Sequence, residues 1–97
     1  DGLRRFADRI SYIHFKDCQP EIAAAGRASG WDYFESVRRG VFCELGQGGV
    51  DFSRVAEWLA ARPDIRWGIV EQDVLPGMGA PRESAARNRA YLHSIGI

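Results

Sequence analysis

Two short apolar runs, each stopped by charged residues, set the pattern of this chain. Ile10-Ser11-Tyr12-Ile13-His14-Phe15 runs into Lys16-Asp17, and Trp67-Gly68-Ile69-Val70 runs into Glu71-Gln72-Asp73. The first is apolar on both alternating faces, as a strand covered on two sides in a parallel sheet is. The two-residue period puts Ile10, Tyr12 and His14 on one face of a strand over 10–15, and Ser11, Ile13 and Phe15 on the other. A second strand over 65–70 carries Ile65, Trp67, Ile69 and then Glu71 on one face, with Arg66, Gly68 and Val70 opposite.

Helical spacing fills the rest. Leu3, Phe6 and Ala7 suggest the last turns of an amphipathic helix leading into the first strand. Pro20, the run Ala23-Ala24-Ala25, Gly26 and Gly30 break the periodicity, so 18–30 reads as an irregular connection with one helical turn at most. Asp32 with Glu35 forms a capping box for a short helix with Tyr33, Phe34 and Val37 on its apolar side and Gly40 as its stop. A short extended piece over 41–44 and a glycine turn over 45–50 follow. Asp51 caps a clear helix with Phe52, Val55, Ala56 and Leu59 on one face, ended by Pro63. A loop over 72–80, with Pro76, Gly77 and Gly79, leads to a closing helix that starts at Pro81. Glu83 lies in its first turn, Ala85, Asn88, Tyr91, Leu92 and Ile95 lie on one side, and Gly96 stops it.

Helices alternating with strands call for parallel strands joined by helical crossovers. Two such strands leave edges and apolar faces uncovered, and an α/β barrel needs about 250 residues. The expected fold class is therefore α/β, with residues 1–97 forming the C-terminal part, the last two βα units, of a TIM (β/α)8 barrel. The start at Asp1 fits a piece of something longer.

Composition narrows the function classes. Hydrophobic residues at 45% and charged residues at 27% are those of a globular domain. The 13 basic residues balance the 13 acidic ones, which gives no general attraction to nucleic acid or anionic membrane. Cys18 and Cys43 are too few and too far apart for a disulfide framework or a cysteine-rich zinc site, so reduced thiols in a cytoplasmic protein are expected. No apolar run approaches the ~20 residues of a membrane span, and no charged-then-apolar leader opens the chain.

His14 and Glu71 stand at the carboxyl ends of the two strands, where barrel enzymes carry their working residues. A neutral imidazole and a carboxylate suit a divalent first-row metal, and strands about 4.8 Å apart let both reach one ion. A hydrogen-bonded histidine and a solvated glutamate fit the same positions. Lys16 and Asp17 would sit at the pocket mouth as substrate-binding residues. Lys16 would hold a substrate oxygen or stabilise an enolate, and Asp17 would orient the lysine or cap a loop; an ordinary surface ion pair is the plainer description. The 46–49 turn could cradle an anion through its N–H groups or be a turn alone. Trp31, Trp58 and Trp67 read as packing residues, and Arg82 and Asn88 as helix residues within reach of the pocket.

Taken in order, His14-Phe15-Lys16-Asp17, then Phe34, Val37 and Gly40-Val41-Phe42, then Leu45-Gly46-Gln47-Gly48-Gly49-Val50-Asp51-Phe52, then Trp67 with Val70-Glu71-Gln72-Asp73, resemble the C-terminal part of the sugar-phosphate isomerase/epimerase family of xylose-isomerase-like barrels, the inosose dehydratase branch above all. The chain departs from that pattern at Leu45, where a proline is common, and at Pro20, in the region where epimerases carry a substrate-holding arginine. The resemblance implies a TIM barrel holding one divalent metal through two carboxylates, a histidine and a final glutamate. His14 and Glu71 match the last two; the others would come from earlier strands.

The activity implied is that of a metal-dependent lyase or isomerase/epimerase acting on a keto-cyclitol or ketose, with Lys16 and Glu71 as catalytic residues. The cofactor would be Mn2+ or Co2+, with Mg2+ or Zn2+ as alternatives. Expected partners are a small sugar or cyclitol substrate and the upstream barrel residues, with homo-oligomer formation open; neither nucleic acid nor membrane is expected. An endonuclease-IV-like phosphodiesterase and an inactive barrel fragment with an assembly role are the competing readings, and the neutral charge balance weighs against the first.

Overall fold

The structure, a computed structural model, describes residues 2–75 and 79–97. Pro76 and Gly77 of the expected 72–80 loop lie outside the described residues. In chain order the elements are helix α1 (Gly2–Arg5), a 3-10 turn (Ala7–Arg9), strands β1 (Ile13–Phe15) and β2 (Asp17–Cys18), helices α2 (Pro20–Ser29) and α3 (Tyr33–Arg38), strand β3 (Phe42–Cys43), helix α4 (Phe52–Ala60), strand β4 (Gly68–Val70) and helix α5 (Pro81–Ser94). The class is mixed α/β, as expected.

β1 and β4 pair in parallel, with Ile13 opposite Gly68, His14 opposite Ile69 and Phe15 opposite Val70. Both strands are shorter than the sequence suggests, because other partners take the flanking backbone groups. The Arg62 guanidinium donates to the carbonyls of Ala7 at 2.7 Å and Ile10 at 3.1 Å, which removes Ile10 from the ladder. Ile65 N–H is spent in a turn on the Arg62 carbonyl at 3.0 Å. The face assignment stands. Phe15 is buried in a cluster with Leu45, Phe52 and Leu92, and Ile13, Val55, Leu59, Tyr91 and Ile95 pack around it. Burying each large apolar side chain there contributes about 1.5–3 kcal/mol. Gly68 is required by this packing, since a Cβ at that position would collide with the Phe15 ring.

The opposite face of the sheet is open. Tyr12 is 55% exposed, Ile69 43% and Trp67 75%, so the described residues leave Trp67, expected to pack, uncovered. Trp31 does pack, its ring lying against Gly26 and under the Arg39 guanidinium. Trp58 is covered by Arg62.

The segment read as an irregular connection is a regular helix. In α2, Pro20 is a first-turn residue, where its missing N–H costs nothing, and the alanine run has the highest helix propensity. Gly30 closes α2 in the left-handed conformation, φ 65°. Asp32 caps α3 as expected, its Oδ1 accepting from Glu35 N–H at 2.7 Å. Of its apolar side only Val37 is buried; Tyr33 and Phe34 are exposed. Asp51 caps α4, accepting from Arg54 N–H at 3.2 Å.

Helix α5 turns Asn88, Tyr91, Leu92 and Ile95 inward as its sequence suggests, with Ser84 in place of Ala85. Ser84, Asn88 and Leu92, spaced four apart, face inward while Ala85 is exposed. The buried Asn88 amide accepts from Leu45 N–H at 2.8 Å and donates to Gln72 Oε1 at 3.0 Å, tying the helix to the glycine turn and to the segment after β4. Among the described residues no helix is long and apolar enough to cross a membrane.

Candidate active site

The parallel register aims His14 and Ile69 to the same side, and one more step of the pleat puts Glu71 beside His14. The ladder continues far enough to fix that step, because Glu71 N–H donates to the Phe15 carbonyl at 2.9 Å. His14 Nδ1 and Glu71 Oε2 are 3.0 Å apart. Lys16 is two residues beyond His14 and shares its face; its Nζ donates to Glu71 Oε1 at 2.7 Å and also to Asp73 Oδ2. The Phe42 ring of β3 lies 4.1 Å from Nζ, a cation–π contact. The Tyr33 ring, at the start of α3, lies beside that Phe42 ring, 6.3 Å between centroids.

The group is electrostatically coherent. The Lys16 ammonium and then His14 hold the Glu71 carboxyl below its ordinary range. Lys16 and then Tyr33 do the same for Asp73. Partial burial pushes Lys16 down, but its bonds to Asp73 and Glu71 outweigh this and the net shift is upward. One ammonium between two carboxylates leaves the cluster net negative, the sign that suits a bound cation.

Asp17 corrects the expectation at the pocket mouth. It is 1% exposed and turned away from His14, Lys16 and Glu71 into the glycine turn. Its Oδ2 accepts from Gly46 N–H at 2.9 Å and Gly48 N–H at 3.0 Å, and its Oδ1 from Cys18 N–H at 2.9 Å and Val50 N–H at 3.1 Å. The turn does cradle an anion, and the anion is the chain's own carboxylate. With four donors spent on it, Asp17 caps the loop and does not face substrate. A side chain at Gly48 would strike Asp17 and the Cys18 carbonyl, which explains that glycine.

Other residues fall out of the site. Arg82 is exposed on α5, and Asn88 is consumed by its two structural bonds. Burial pushes the Cys43 thiol up to about 11, so it is an inert side chain. Asp73 and Tyr33, by contrast, join the cluster without having been singled out as site residues. For Asp73 the sequence carried a signal, because its two-residue offset from Glu71 mirrors that of Lys16 from His14. Tyr33 had none, since its proximity depends on how α3 folds back over the strand ends.

The donors present fit part of a metal shell. Two donors about 2.1 Å from one ion at right angles lie about 3 Å apart, and His14 Nδ1 to Glu71 Oε2 is 3.0 Å. Among the described residues no group of three or more His, Cys, Asp or Glu side chains is arranged to hold an ion.

No protein-family model matches the chain. Individual proteins do. Over 90 residues, 93% of this chain, it is 33% identical to the inosose dehydratase of Geobacillus thermodenitrificans, 32% to that of Halalkalibacterium halodurans and 31% to that of Serratia proteamaculans. The chain is similar to these inosose dehydratases over nearly its whole length. It spans about 30% of the length of each of these curated relatives.

Proposed function

We propose that these 97 residues are the last two βα units of a (β/α)8 barrel whose complete form is a metal-dependent lyase of the inosose dehydratase type, acting on a keto-cyclitol or a related ketose. The observation that carries the reading is the convergence of His14, Glu71 and Lys16 at the carboxyl ends of two adjacent parallel strands, with His14 and Glu71 3.0 Å apart. The likeness to inosose dehydratases supports the substrate class. The open face bearing Tyr12, Trp67 and Ile69 supports the barrel, because the side chains that carry the chemistry share that face with apolar groups that need covering.

In this reading His14 and Glu71 are metal donors, with further carboxylates from earlier strands completing the shell. A divalent ion bound there supplies Lewis acidity at a substrate carbonyl, which makes the adjacent C–H acidic. Mn2+ or Co2+ suits the mixed nitrogen and oxygen donors, with Mg2+ or Zn2+ as alternatives. Lys16 serves as an ammonium, since two carboxylates accept from it. It donates to the oxygen on which negative charge develops as the C–H bond breaks. A carboxylate of the site takes the C–H proton while the electrons collect as an enolate; they then form a C=C bond as the neighbouring C–O bond breaks, and the leaving hydroxyl takes that proton and departs as water. Isomerisation or epimerisation differs only in returning the proton to carbon.

The test is metal titration and turnover of inosose by the full-length protein and its His14→Ala and Glu71→Ala variants. Each substitution is expected to weaken metal affinity by about tenfold or more, as loss of a ligand does. Unchanged affinity and turnover in both would sink the reading.

A further inference from the structure

We propose that Asp73 is the positioning residue for Lys16. An ammonium on a four-carbon stem has many rotamers and three hydrogens to place. Here two hydrogens are already placed, one on Glu71 Oε1 at 2.7 Å and one on Asp73 Oδ2, while the Phe42 ring lies 4.1 Å from Nζ. The third hydrogen is left for a substrate oxygen. Glu71 alone does not define that direction, because its other oxygen is turned to His14. Asp73 supplies the second fixed point.

The composition points the same way: Lys16 is the single lysine among 13 basic residues. A compact three-donor ammonium fits between two carboxylates and a ring, where a planar guanidinium would not.

The inference rests on Lys16 contacting substrate, as proposed above, and its test has one arm that does not depend on turnover. In the full-length protein, 13C-labelled lysine lets NMR relaxation report the order of the Lys16 ε-methylene, assigned by its loss in Lys16→Met. Asp73→Asn is expected to drop that order to the level of free surface lysines, and Asp73→Glu, which moves the carboxylate by one methylene, to lower it part-way. In kinetics, Asp73→Asn is expected to lower kcat about tenfold while KM for inosose moves less than about threefold, and to cost less than about twofold more in a Lys16→Met background. A merely structural role would instead lower both backgrounds alike.

Lys16 order unchanged in both variants overturns the inference, as does an Asp73→Asn loss that recurs in full without Lys16. Should Asp73→Asn fail to fold, the Asp73→Glu order measurement decides. Loosening of Lys16 in a protein that does not turn over inosose supports the positioning and removes the dehydratase reading instead.

Discussion

Lys16 and Asp17 are adjacent in sequence and opposite in fate. The pleat turns Lys16 to the open face, where its charge works on other side chains, and Asp17 inward, where its charge is spent on the backbone of the 46–50 turn. A buried carboxylate with four N–H donors is a strong local constraint, and removing it leaves those donors unpaired. Asp17→Ala is expected to destabilise the protein by about 3 kcal/mol, read from urea unfolding. Lys16→Met should leave stability nearly unchanged and act on turnover. Equal unfolding midpoints for Asp17→Ala and the parent would contradict this division.

At the scale of elements, local chemistry decides where helices begin and end. Proline and glycine in the 18–30 segment look like breakers, yet Pro20 stands in the first turn of α2 and Gly30 just past its end, the two places where they help. Gly30→Ala forces a left-handed alanine and is expected to cost about 1 kcal/mol. Asp51→Ala removes the cap of α4 and is expected to cost about 1 kcal/mol. Thermal unfolding measures both, and no change in melting temperature for either would show that the tertiary contacts of these helices override their ends. Periodicity held for Val37 of α3 and for Asn88, Tyr91, Leu92 and Ile95 of α5, but Tyr33, Phe34 and Ala85 stay exposed. Helix periodicity names a stripe, and only the neighbouring elements choose which stripe is covered.

For the whole molecule, the open sheet face and the ion pair between α5 and the glycine turn make the accessible predictions. Exposed Tyr12, Trp67 and Ile69 beside unpaired strand edges should make the 97-residue chain by itself bind a hydrophobic dye and associate as concentration rises. Trp67 emission, isolated by comparison with Trp67→Phe, should resemble free tryptophan in that chain and shift to the blue in the full-length protein. An already blue-shifted Trp67 would count against an open face. The Arg87 guanidinium, above all, holds the Glu44 carboxyl below its ordinary value of 4.5. A depressed carboxyl pKa contributes stability that is present above the unfolded value and is lost as pH falls through the folded one. The melting-temperature gap between the parent and Glu44→Gln is therefore expected to be widest above about pH 5 and to close on acidification. Because Arg87 is well exposed, the gap is small and shrinks with salt.

The alternation along 10–15 and 65–70 by itself determined the faces: Phe15 and Ile13 to the core, His14 and Glu71 together on the other side. Caps at Asp32 and Asp51 were equally plain, since each depends on groups within three residues. What only the tertiary structure decided depends on partners distant in sequence. Arg62 shortens β1 by taking the Ile10 carbonyl, the glycine turn claims Asp17, and the segment beyond β4 brings Asp73 to Lys16. A two-residue period tells which way a side chain points. It does not tell what is waiting there, because hydrogen-bond donors and charges converge through space rather than along the chain.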